Sequence, residues 1–135
     1  MRRPIQSRRG SAQVEFALLL PVLMMFLYGI MEYGWMFFNR TVVQEAGRQG
    51  CRHGSTLNVY DHDIESEVGD RMQEVLSALG VNCDSTTCDI GVEVVGEIPT
   101  QRLRCTLAVD YTPLINAVPT ASRLSAGYMY YLEVQ

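Results

Sequence analysis

Hydrophobic side chains fall along this chain in three successive rhythms. The first is continuous. From Phe16 to Met31 the run is apolar for 16 residues, and counted on to Phe38 it reaches 23 residues. That length is enough to cross a bilayer with some tilt. The polar continuation NRTVVQEAGRQGCRHG carries no strong break until Gly54, so one helix is expected over 11–54, membrane-spanning at about 16–38. Tyr28, Tyr33 and Trp35 suit the water-facing boundary of such a span. Pro21 removes one rung of the helical ladder and predicts a slight bend.

The second rhythm is helical and amphipathic. In 61–79 (DHDIESEVGDRMQEVLSAL) the apolar positions Ile64, Val68, Met72, Val75 or Leu76, and Leu79 recur every three or four residues. Asp61 or Asp63 is placed to cap the start, and Gly80 to stop the end. The third rhythm alternates. Ile90, Val92 and Val94 share one face of a strand; Leu103, Cys105, Leu107, Val109 and Tyr111 share one face of the next, with Arg102, Arg104 and Asp110 opposite. PLINAVPTASR, with two prolines, reads as a loop, and Gly127 to Val134 as a Tyr-rich final strand. The expected fold class is α+β: a long N-terminal transmembrane helix running into a small extracytoplasmic domain of one further helix and a three- to four-stranded antiparallel sheet. The expected divisions are a basic leader at 1–10, the long helix at 11–54 and the α+β domain at 55–135.

Charge sharpens this picture. Arg2, Arg3, Arg8 and Arg9 crowd the first ten residues with no acid among them, whereas the remainder holds seven Arg against all fifteen acids. A nucleic-acid binder needs a basic face on its body, and this body is acidic. The basic head is instead a topology signal that keeps the N-terminus cytoplasmic. Only about 80 residues remain outside the membrane, a small core that benefits from a staple. All four cysteines (Cys51, Cys83, Cys88, Cys105) follow the apolar run, where an exported domain permits disulfides. Four cysteines admit three connectivities. The pairing expected here is Cys83–Cys88 across the turn-like segment Asp84-Ser85-Thr86-Thr87, and Cys51–Cys105 tying the long helix to the sheet. A zinc site would need a second close pair of ligands, and Cys51, His53, His62 and Cys105 do not offer one.

The junction between head and apolar run carries the most specific chemistry. A secretory signal peptide fits poorly, because the run is too long and no A-x-A-like cleavage site follows it. Arg8-Arg9-Gly10 is followed by Ser11-Ala12-Gln13-Val14-Glu15-Phe16, with Glu15 the fifth residue after Gly10. A carboxylate near the start of a membrane helix is costly and calls for a purpose. Basic residues and a Gly followed five positions later by a Glu in an apolar helix resemble type IV prepilins. The likeness narrows over a longer stretch: Val14-Glu15-Phe16-Ala17-Leu18, Pro21, Gly29-Ile30-Met31-Glu32-Tyr33-Gly34 and Ala46-Gly47-Arg48-Gln49-Gly50-Cys51-Arg52 together resemble the TadE-like family over about the first 50 residues. Cys51 departs from it, an Ala being usual there.

That resemblance implies a minor pilin, or pseudopilin, of a tight-adherence (Tad/Flp) pilus, acting in assembly, priming or tip formation for adherence or secretion. It implies cleavage between Gly10 and Ser11 by a prepilin peptidase, and a pairing of the freed Ser11 amine with Glu15, beside Phe16, of a neighbouring subunit. The implied partners are other pilins, including the major Flp-type pilin and a sister pseudopilin, the prepilin peptidase, an inner-membrane assembly platform and the lipid bilayer. The implied location is the bacterial inner membrane, single-pass with an extracytoplasmic C-terminus, and after assembly the extracellular pilus. A different class of function, an unprocessed single-span scaffold or sensor with an extracytoplasmic binding domain, is the alternative.

Within the long helix, Pro21, Glu32 and Gly34 are read as helix-packing or interface positions. Glu32 lies 17 residues beyond Glu15, roughly 25 Å along a helix, where it can either snorkel into the headgroups or contact a partner helix. Gly47, Gly50 and Gly54 form a small-residue face that suits close packing or a frayed end. No catalytic constellation, cofactor or metal site is expected: His53 and His62 flank a polar break, and the acids of DHDIESEVGD lack EF-hand spacing but suit a helix N-terminus.

Overall fold

The computed structural model describes residues 9–57, 63–84, 86–97, 100–115 and 118–132. Its elements follow the order α1 (Arg9–Ser55), α2 (Ile64–Ala78), β1 (Cys88–Val95), β2 (Arg102–Asp110) and β3 (Arg123–Tyr131). The strands form one antiparallel meander of order β1-β2-β3. The fold is α+β, and the sheet among the described residues has three strands.

α1 runs unbroken for 47 residues through Pro21, about 70 Å at the helical rise. It is two helices in its surroundings. Positions 12–28 are exposed throughout, whereas from Val42 onward the side facing the sheet is buried. Val42, Val43, Ala46 and Cys51 join the core with Ile64, Val68, Met72 and Leu76 of α2 and with Leu103, Cys105, Leu107 and Val109 of β2. The small-residue face explains how three elements meet there. A Cβ at Gly50 would collide with Met72, and one at Gly54 with Val68 and with Leu103, 2.8 Å away. The glycines are therefore where α2 and the sheet approach the α1 backbone, and the helix continues through them instead of fraying.

α2 buries Ile64, Val68, Met72, Val75 and Leu76, the stripe its periodicity predicts. Leu79 is the exception, 44% exposed. The helix ends at Ala78, and Gly80 takes φ +80° while its N–H reaches Ser77 and that of Val81 reaches Leu76. This pair of bonds satisfies the last carbonyls, and the chain reversal brings Val81, not Leu79, against the core. Asp63 stands at the N-cap without a side-chain cap bond, and Asp61 and His62 lie outside the described residues.

β2 is the central strand, and its inward residues Leu103, Cys105, Leu107 and Val109 are all buried, continued past the strand end by Tyr111. On β1, Ile90 and Val92 pack against the core, but Val94 is 43% exposed as the strand runs past its cover. β3 starts at Arg123, four residues before the expected Gly127. Gly127 sits mid-strand opposite Thr106 and breaks nothing; the strand begins where its partner ends, Arg123 opposite Asp110. There the Arg123 guanidinium also meets Asp89 and Asp110. Val134, the expected end of that strand, is outside the described residues.

Candidate membrane anchor and assembly face

The N-terminal half of α1 has no cover from the described residues of its own chain. Phe16 is 62% exposed and Phe26 68%, and the window that marks the apolar span has none of its residues buried. It is long and apolar enough to cross a membrane. Glu15 is exposed on this surface and meets no partner among the described residues. Gly10 and Ser11 lie in the first turns of α1, which begins at Arg9, and Pro21 is exposed. A Cβ at Gly29 or Gly34 would meet nothing within 4 Å. Gly34 thus packs against nothing among the described residues, in contrast to Gly50 and Gly54.

Glu32 stands apart from its neighbours on the helix. Its side chain is fully buried, at 0% exposure, although Met31 and Tyr33 on either side are exposed. The carboxylate accepts the backbone N–H of Leu114 at 3.0 Å on Oε1 and that of Ile115 at 2.9 Å on Oε2, and the Tyr111 hydroxyl lies 3.4 Å from Oε1. It neither snorkels nor reaches toward another helix. It clasps the segment that follows β2. Burial of Tyr111, the negative charge of Glu32 and the hydrogen bond to it all raise the phenol above its ordinary value.

Residue-by-residue reading of the apolar run missed this clasp. Its signal lies in the packed half of the helix. Stepping back from Gly54 by three or four residues gives Gly50, Ala46 or Gly47, Val43, Asn39, Met36 and then Glu32. Every one of those positions is wholly or partly buried, so Glu32 lies on the core-facing stripe. Tyr111 likewise continues the inward alternation of β2. The two residues face each other because each extends its own element's buried face by one step.

The cysteines link the same elements. Cys51 of α1 is joined to Cys105 at the middle of β2, with Cα atoms 5.8 Å apart. Cys83 is joined to Cys88 across the turn that leads into β1, with Cα atoms 5.4 Å apart. His53 stands 3.9 Å from Glu67 on the surface. Among the described residues, no three His, Cys, Asp or Glu side chains gather as metal ligands.

The anchor, the buried Glu32 and the glycine face up to Cys51 all fall in one stretch, and the sequence model of the TadE-like protein family matches residues 10–52. This segment is TadE-like. The likeness of this segment associates the chain with Tad pilus systems. No curated protein and no solved structure matches the chain. The TadE-like segment ends just after Cys51, so it includes the whole anchor and one end of the bridge to β2 but neither α2 nor the sheet.

Proposed function

We propose that this protein is a minor pilin of a Tad pilus, held in the inner membrane by the first half of α1 until it enters or primes a filament. The observation that carries the reading is the coexistence of Glu15 with an apolar surface that its own chain leaves bare. Such a surface requires lipid or neighbouring helices as its cover. A carboxylate on it requires a counter-charge. Cleavage between Gly10 and Ser11 creates one, the Ser11 α-amine, and in a filament the amine of one subunit meets Glu15 of the next. The leader at 1–10 holds the N-terminus cytoplasmic through Arg2, Arg3, Arg8 and Arg9. The domain beyond about residue 55 is then extracytoplasmic, which agrees with its disulfides. Its contacts are other pilins, the prepilin peptidase and the assembly platform.

Processing is the direct test. Intact-mass measurement of membrane-extracted protein should show the loss of residues 1–10 and a chain beginning at Ser11. A mature chain beginning at Met1, or one cut beyond residue 38, would refute the pilin reading.

A further inference from the structure

The clasp on Glu32 holds a loop of the domain against the helix that forms the anchor. We infer that the segment Thr112–Ile115, drawn onto α1 by Glu32, sits in the outer leaflet and acts as a second, shallow membrane contact beside the spanning helix. The inference rests on the membrane-anchor reading above and concerns a different part of the chain.

Depth comes first. The hydrocarbon core is about 30 Å thick, and the run from Phe16 to Met31 supplies only about 24 Å of helix. Another three or four residues are needed, which brings Glu32 inside the apolar layer near its outer edge. An unpaired carboxylate there is costly. Glu32 is instead withdrawn from all solvent and bonded to two backbone N–H groups and a phenol of its own chain. It has the surroundings a charge at that depth needs, without bending toward the headgroups.

The loop's composition agrees. The backbone N–H groups of Leu114 and Ile115 are 3.0 and 2.9 Å from the Glu32 carboxylate, so both residues stand level with it along α1. Leu114 and Ile115 are 50% and 44% exposed, and Ile30, Met31 and Tyr33, the helix residues next to Glu32 in sequence, are exposed as well. The apolar surface of the anchor therefore continues onto the loop at one height. The occupant matched to that surface is lipid, since the patch is continuous with the span and the backbone N–H groups of Leu114 and Ile115 are already bonded to Glu32.

Tryptophan fluorescence tests this in the full chain. Trp35 is the sole Trp, so Trp35→Phe gives a dark background. Into it are placed Ile115→Trp or, as a control for the anchor, Phe26→Trp. The proteins are reconstituted at low protein-to-lipid ratio in phosphatidylcholine vesicles containing chain-brominated lipid. At both positions the bromolipid should quench emission at least twofold, with iodide having little effect. Glu32→Ala should at least halve the quenching at position 115 and leave that at position 26 unchanged. Strong iodide quenching with no bromolipid effect at 115, while 26 is quenched by lipid, would overturn the inference and spare the anchor. Protection of 115 from both quenchers would point to a protein neighbour and also overturn it. Absence of lipid quenching at 26 would overturn the anchor and the inference together. Undiminished quenching at 115 in Glu32→Ala would overturn the part assigned to Glu32.

Discussion

The two halves of α1 are built from one continuous helix and have opposite relations to the rest of the molecule. In residues 12–28 every side chain is exposed and the large residues Phe, Leu and Met are spread around the whole circumference. From residue 42 to 55 the helix is one-sided, with Val42, Val43, Ala46, Gly50, Cys51 and Gly54 turned inward and Arg48, Arg52 and His53 turned out. Bulk is harmless in the first half, because nothing among the described residues competes for the space. In the second half smallness is essential, because α2 and β2 approach the backbone. The apolar character of a helix therefore does not by itself say where the core is. The core lies against the half that is less hydrophobic.

This contrast can be broken first at Glu15. Removing one member of a buried ion pair costs about 3–5 kcal/mol, enough to prevent incorporation into a filament. Glu15→Ala and Glu15→Gln should be expressed, inserted and cut after Gly10, yet yield no pili by electron microscopy or shear assay. Since Glu15 is exposed within the single chain, neither variant should alter thermal stability in detergent. Wild-type piliation by either variant would make Glu15 an ordinary interfacial residue.

The covalent link comes next. Cys51 and Cys105 are 54 positions apart in sequence, and loss of a disulfide from a small domain typically costs about 2–5 kcal/mol. A Cys51→Ser, Cys105→Ser double variant should unfold at clearly lower temperature. The loss should exceed that of Cys83→Ser with Cys88→Ser, which closes a loop with a separation of only 5. Thiol labelling of the denatured wild type should find no free cysteine.

A matched pair of glycine substitutions then compares the halves directly. Gly54→Val forces a side chain into Val68 and Leu103, and overpacking of this kind typically costs about 1–3 kcal/mol. Gly34→Val meets open space and should leave the stability of the isolated chain within about 0.5 kcal/mol of wild type. If Gly34→Val nonetheless impairs piliation, that glycine packs against another subunit.

The smallest effect concerns pH. With its phenol raised by burial and by Glu32, Tyr111 binds its proton more tightly folded than unfolded. Its contribution is complete below the unfolded phenol value near 10 and is lost as pH rises from there through the folded value. Alkaline denaturation of the full chain in detergent should show a decline in that window that is shallower in Tyr111→Phe. An identical slope in both proteins would mean that another group governs the decline.

The sequence displays most of the soluble fold because two of its rhythms are clean. The stripe Ile64, Val68, Met72 and the alternation Leu103, Cys105, Leu107, Val109 each match a face that is buried. The misplaced boundaries have local causes. Leu79 obeys the helical period but sits at a cap where the chain turns back, and Gly127 looks like a break but only faces Thr106. Glu32 was hidden for a deeper reason. Within a uniformly apolar run, hydrophobicity carries no angular information, so the side facing the domain has to be traced from the glycines downstream. The roles assigned to Gly10, Ser11, Glu15 and Phe16 involve a protease and neighbouring subunits, and a single folded chain contains neither.

The bridge from Cys51 to Cys105 also sets how the protein transmits force. On the proposed pilin reading, neighbouring subunits grip α1 in a filament, and any drag on the exposed domain is felt as tension along that helix. The covalent route from helix to sheet bypasses α2 and β1, which lie between the two cysteines in sequence. Tension therefore enters the sheet at the middle of its central strand, held on both sides by β1 and β3. Extension of the chain between the two cysteines is arrested by a covalent bond, and only the sequence before Cys51 and beyond Cys105 remains free to be peeled away.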